Sequence, residues 1–359
     1  MDFRYSTEQD DFCASLRGFL REHTRIREAT YDGRLWKRLC TELELPALHA
    51  PLEYGGTGAT VVETAIAFAE LGRTLTPVPF AATTFAIEAI LRLGNDEQRK
   101  SLLPGLLSGD QIGAFAAGGH RVTDASAATV RAQRQGSRVM LTGECTPVLH
   151  GGLATVFVVP ALADDGVVRL HVVSADSSGV AVVGLPSFDI TRPVATLRLV
   201  QAPADTLSAG STDDVERVLD VARVLLAAEM LGGAEACLEL AVGYARSREQ
   251  FDRPIGSFQA VKHACAEMLI EIDATRAAVM FAAMSAALGN ELQVAAPLVK
   301  AQAADTYVLC AGTAIQVHGG IAFTWEHDLH LYFRRAKSTE ALFGSSTRNR
   351  ALLADRAGL

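Results

Sequence analysis

The chain has 359 residues, 49% of them hydrophobic, enough to bury a substantial core spread over two or three domains. Lys and Arg number 33 against 41 Asp and Glu, and the net charge of −8 argues against nonspecific nucleic-acid binding, which needs a basic surface. No apolar run is long enough to cross a bilayer, and Met1-Asp2-Phe3-Arg4 lacks the basic-then-apolar start of a signal peptide, so a cytoplasmic protein is expected.

Residues 1–112 read as an α-helical domain. Ser6-Thr7-Glu8 has capping character, and Phe12, Leu16, Phe19 and Leu20 follow at helical spacing. Leu35, Trp36, Leu39 and Leu43 predict a second helix, which leads into the breaker-rich loop from Pro51 to Gly58. Further helices are expected over Val61–Gly72, Thr84–Leu93 and, behind Asn95-Asp96, Glu97–Leu107.

Residues 113–208 read as a β domain. Runs at 128–132, 138–142, 155–159 and 169–173 are rich in β-branched residues, with turns at Gly136-Ser137 and Asp164-Asp165-Gly166 between them. No helical pattern alternates with these strands, so a compact antiparallel barrel or sandwich is expected rather than a doubly wound sheet. Gly118-Gly119 and Gly151-Gly152 lack the GxGxxG spacing of a nucleotide-binding turn.

Residues 209–359 return to helices, at Val215–Arg246, Ser257–Leu288, Leu292–Val317 and Asp328–Glu340, and predict a four-helix bundle. The expected fold class is therefore α+β and multidomain. The six cysteines are scattered without a CxxC pair and read as reduced buried thiols. His327-Asp328-Leu329-His330 has the spacing of a shared helix face, but no further ligand stands out, so a polar helix start is expected there and no metal.

The chemistry-bearing stretch runs from Arg248 to Gln259 and is answered by Gln316-Val317-His318-Gly319-Gly320. An Arg fork meets a diphosphate with paired, charge-assisted hydrogen bonds, amide side chains add donors, and glycines let a backbone come close. That combination suits the diphosphate and adenosine of a dinucleotide.

In this order and spacing, Pro51 to Gly58, Leu93 to Gln98, Asp189-Ile190-Thr191-Arg192, Tyr244 to Gln259 and Gln316 to Gly320 resemble the acyl-CoA dehydrogenase family over nearly the whole chain. The phrase from Gly319 to His327, with Leu342-Phe343-Gly344 behind it, is similar to actinobacterial members, several of which work as mixed tetramers on CoA thioesters of steroid side chains. The resemblance implies FAD shared between neighbouring subunits, an acyl-CoA substrate and an acceptor of the electron-transfer-flavoprotein type. It also implies a carboxylate that takes the α-proton while the β-hydrogen leaves as hydride. Arg248, Phe251, Gln259, Gln316, Gly319, Gly320 and Ser345 are the residues it assigns to the cofactor, with Asp252 standing where a Gly usually follows the Phe.

Departures fall on the flavin-ring half and on the base. Phe115 to Arg121 replaces the family's Thr-Glu-Pro loop, and Pro147-Val148-Leu149-His150-Gly151 replaces its aromatic-Ile/Val-Thr/Ser segment. The two positions the family uses for its base are Phe343 and Ala222, neither of which accepts a proton. Glu229, seven residues beyond Ala222, and Glu340, three before Phe343, are fallback carboxylates, with pairing of Glu229 to an Arg as its expected state. These departures imply the non-catalytic partner of a paralogous catalytic subunit in an α2β2 tetramer. A self-sufficient enzyme using Glu229, or a flavin-free structural or acyl-CoA-binding protein, stands as the alternative.

Overall fold

The computed structural model describes residues 4–27, 31–117, 122–136, 138–208 and 211–359. Helix α1 (Thr7–His23) opens on a capping box between Ser6 and Gln9 and buries Leu16 and Leu20. Asp32 caps α2 (Gly33–Thr41), which buries Leu35, Trp36 and Leu39 and stops short of Leu43. Capping boxes at Thr60/Glu63 and Asn95/Gln98 start α3 (Val61–Arg73) and α5 (Asp96–Leu107). Helix α4 (Phe80–Leu93) begins four residues earlier than the sequence predicts, directly after Pro79, whose missing N–H costs nothing at a helix start.

The middle of the chain forms β1 (Gly113–Phe115), β2 (Val130–Gln135), β3 (Arg138–Leu149), β4 (Val156–Ala163), β5 (Val168–Ser174), β6 (Val180–Leu185) and β7 (Val194–Thr206). Strands β4, β2, β3, β7 and β5 pair in that order and β5 returns to β4, closing a barrel. Most pairings are antiparallel, but β1 runs parallel to the start of β4, and the start of β2 runs parallel to its end. Inward residues such as Leu141, Phe157, Val159, Leu197 and Leu199 fill the barrel with a core of its own. Strand β3 continues past its predicted end because register shifts at Leu141/Gly143 and Cys145/Val148 absorb Gly143 and Pro147.

Helices α6 (Thr212–Ser247), α7 (Gln259–Leu288), α8 (Leu292–His318), α9 (Leu329–Ala341) and α10 (Ser346–Ala357) complete the fold. Helix α6 packs against α3, α7 and α8, which is why its stretch from Val218 to Ala234 is buried on every face. It meets α3 at glycines: a Cβ on Gly72 would stand 2.2 Å from Glu229 O, and one on Gly232 would stand 1.8 Å from Ala69 O. Among the described residues no helix is long and apolar enough to cross a membrane.

Candidate functional site

A cavity of about 440 Å³ opens between α4, the barrel and the turn after α9. Its wall is mainly apolar, from Phe85, Phe115, Leu149, Phe188 and Phe343, with Ser187, Arg192 and Ser338 as polar points. Phe343 is 8% exposed, and its ring meets Phe85 edge-on at 5.6 Å and Phe115 at 6.4 Å between centroids. The backbone turns it inward at φ +52°, a conformation that side chains rarely adopt and that neighbouring groups must hold.

Those groups are side chains that donate to the turn's carbonyls. Lys300 Nζ donates to Glu340 O at 3.0 Å and Gly344 O at 3.2 Å, and Asn349 Nδ2 donates to Gly344 O at 2.8 Å. Arg223 Nε reaches Phe343 O at 3.5 Å while Asp220 holds the same guanidinium at 2.6 Å. Burial pulls the Lys300 ammonium down to about 7. Ser345 is the N-cap of α10, its Oγ accepting from Arg348 N. Ala222, the other position of the expected base, is buried within α6.

Glu229 lies one helical stretch further along α6, 5% exposed, and accepts from two guanidinium groups. Arg192 Nη2 donates to its Oε1, and Arg335 Nη1 donates to the same oxygen at 3.3 Å. Arg335 also binds Asp189 Oδ2 at 2.6 Å and Thr191 O at 3.1 Å, and Arg192 donates to Thr339 Oγ1 at 3.1 Å. Two cations and two anions thus share one buried site that joins α6, α9 and the segment before β7. His150 abuts them with both ring nitrogens unpaired. Burial first, and then the charges of Arg192 and Arg335, push its pKa down to about 3. Glu340, the second fallback carboxylate, pairs with Lys337 at 2.7 Å.

Apart from Ser345, the cofactor residues named from the sequence lie elsewhere, on exposed surface around the far ends of α6 and α8. Arg248 closes α6, and Glu249-Gln250 (β8) pairs with Arg253-Pro254 (β9) as a tight hairpin. Phe251 and Asp252 form its tip at φ +54° and +58°, which explains why a glycine would be at home at 252. Phe251 is 85% exposed, and Gln259 starts α7. Tyr244 stacks on His318 at 4.3 Å, bringing the last turn of α6 against the last turn of α8, where Gln316, Gly319 and Gly320 lie exposed. Gly319 takes φ +67°, and a Cβ on Gly319 or Gly320 would meet nothing within 4 Å.

An open two-glycine backbone, exposed amides and a guanidinium with no acidic partner among the described residues fit the diphosphate side of a dinucleotide. The ring side fits poorly. Cavity residues Phe115, Pro147, Leu149 and Phe343 offer no side-chain donor, and the expected donor loop at Gly118-Gly119-His120-Arg121 lies outside the described residues. His327 accepts from Leu329 N and contacts His318, whereas His330 meets Trp325 edge-on. No group of three potential metal ligands comes together among the described residues.

The Arg partner expected for Glu229 is present, but the sequence reading named Arg192 only within a motif and did not reach Arg335 or the carbonyl clamp of Lys300 and Asn349. The available signal was polarity out of place: Glu229 inside Val224–Leu231 and Lys300 inside Ala295–Ala304, both apolar runs.

The family model described as "Acyl-CoA dehydrogenase, N-terminal domain" matches residues 6–110, and that described as "Acyl-CoA dehydrogenase, C-terminal domain" matches residues 210–358. The acyl-CoA dehydrogenase IpdE2 of Mycobacterium tuberculosis is 35% identical over 315 residues, 88% of this chain and 84% of that one. Among solved structures, the ChsE4-ChsE5 complex from Mycobacterium tuberculosis is similar at TM-score 0.92 and 29% identity, covering 100% of this chain and 99% of the other. The Tcur3481-Tcur3483 steroid ACAD G363A variant is similar at TM-score 0.89 and 29% identity, over 98% of both chains. With helices, barrel and bundle in the same order and these matches along its length, the chain belongs to the acyl-CoA dehydrogenase family.

Proposed function

We propose that this chain is the non-catalytic subunit of a heteromeric acyl-CoA dehydrogenase, paired with a paralogous catalytic chain in an α2β2 tetramer. The observation that carries the reading is Phe343: the turn that would present a base presents a phenyl ring packed against Phe85 and Phe115. The double pairing of Glu229 supports it, because a carboxylate held by two guanidinium groups is a poor proton acceptor for a substrate carbon.

In this reading FAD, when bound, supplies the hydride acceptor for α,β-dehydrogenation of an acyl-CoA. Arg248 binds the diphosphate, Gln259, Gln316 and the Gly319-Gly320 backbone line the adenosine side, Phe251 packs beside them, and Ser345 adds a hydroxyl near the turn. The flavin ring and the base belong to the paralogous chain. Similarity to the Tcur3481-Tcur3483 steroid ACAD favours steroid side-chain CoA thioesters as the substrate class. A cytoplasmic location, an electron-transfer-flavoprotein-type acceptor and domains at 1–112, 113–208 and 209–359 complete the proposal.

Co-expression with a paralogous chain, followed by native mass measurement and flavin counting, tests it. Two FAD per four chains is the expected result. Four would assign this chain a flavin of its own, and none would favour a flavin-free structural or acyl-CoA-binding protein.

A further inference from the structure

The stack at the end of α8 has no part in the chemistry assigned so far, yet it is the contact that joins the two halves of the proposed dinucleotide grip. His318 is the last residue of α8 and is followed at once by Gly319, whose φ of +67° and ψ of −143° only glycine holds easily. One ring face lies against Tyr244 at 4.3 Å and 21°, and His327 approaches edge-on at 4.6 Å and 62°. Tyr244 is tied in turn to the cation of the grip, since the Arg248 N–H donates to Tyr244 O at 2.8 Å.

Hydrogen bonds fix the tautomers. His318 Nδ1 stands 2.8 Å from Ala314 O, which only accepts, so this nitrogen carries the proton and the ring cannot rotate freely. His327 Nδ1 stands 3.2 Å from the Leu329 N–H, which only donates, so that nitrogen carries a lone pair. A flat aromatic spacer of fixed orientation therefore separates the α6 end from the α8 end.

We propose that His318 is a positioning residue for the dinucleotide: its oriented ring sets the register of Arg248 on α6 against Gln316, Gly319 and Gly320 on α8. The inference rests on the reading of that surface given under Proposed function. A grip whose two sides come from different helices binds only as well as their spacing is held, so loss of the spacer lowers affinity without removing any ligand-contacting group.

The test is FAD retention by the co-purified heteromeric complex, measured as the dissociation constant after flavin removal, with native mass as the check on assembly. His318→Ala is expected to weaken FAD by roughly tenfold, and His318→Phe, which keeps the flat ring, to stay within about threefold of wild type. His318→Gln keeps a donor for Ala314 O but no ring, is expected to weaken FAD to a similar extent, and supplies the readout if the alanine variant fails to assemble. Wild-type retention by His318→Ala or His318→Gln, with release by Arg248→Ala, overturns the positioning role while leaving the grip intact. Retention by Arg248→Ala as well overturns both the inference and the reading beneath it.

Discussion

Arg192, from the segment before β7, donates to Glu229 in the middle of α6, and Arg335 of α9 donates to the same oxygen. All three side chains are buried, so removing the Glu229 charge strips Arg192 of its ion-pair partner and leaves Arg335 with Asp189 alone. Glu229→Gln should therefore lower stability by about 3 kcal/mol, read as a fall in the urea midpoint, while turnover of the assembled complex stays within about threefold of wild type. Collapse of turnover with the midpoint unchanged would make Glu229 the base.

Phe343→Ala removes a buried ring and leaves a hole in a wall that cannot close, because Lys300, Arg223 and Asn349 hold the backbone of the turn. A loss of about 3 kcal/mol is expected in denaturant unfolding of the chain. Phe343→Glu places a carboxylate in the cavity, yet should give no dehydrogenase activity to the isolated chain, since a base without a flavin pocket oxidises nothing. An activity gain in that variant would show that the ring site is competent.

The glycines at the α3–α6 crossing make a sharper stability prediction. A methyl at Gly232 would overlap Ala69 O at 1.8 Å, and backbone cannot step aside as a flexible side chain can. Gly232→Ala should cost at least about 2 kcal/mol despite the better helix propensity of alanine. Gly243→Ala on the same helix, where a Cβ would meet nothing within 4 Å, should be neutral or stabilising. Equal midpoints for the two variants would mean that the helices do not cross so closely.

His150 supplies a pH dependence with a definite sign. Its pKa is held at about 3 in the folded chain and returns to about 6.5 on unfolding. Above 6.5 neither state binds the proton and its contribution is fully present. Between 6.5 and about 3 the unfolded state alone takes up the proton, so stability falls by about 1.4 kcal/mol per unit, and below that window it levels off. His150→Asn suits the φ of +50° and should flatten the fall in unfolding free energy between pH 6 and pH 4.5 by close to one proton. An unchanged slope would mean that the imidazole is protonated in the folded state.

Local signals made the helices legible: the boxes at Ser6/Gln9 and Asn95/Gln98 and the breakers from Pro51 to Gly58 mark starts and stops within a few residues. The barrel was legible as a class but not strand by strand. Gln201 at φ +50° and Pro203 interrupt β7, and β6 exposes most of its residues, so neither shows a clean alternation. Helix α10 reads as polar, with Ser345 its only start signal. The turn at Phe343 was visible from the family's order of motifs, but its inward packing was not. The partners of Glu229 lie 37 and 106 residues away in the chain, beyond the reach of any local spacing.

In the proposed function this chain offers a dinucleotide one side of a site and no base. Purification of the chain alone, addition of excess FAD, desalting and an absorbance spectrum test it most directly. A colourless protein that neither retains flavin nor reduces it when an acyl-CoA is added is the expected result. A yellow protein carrying one FAD per chain, bleached by acyl-CoA, would contradict it.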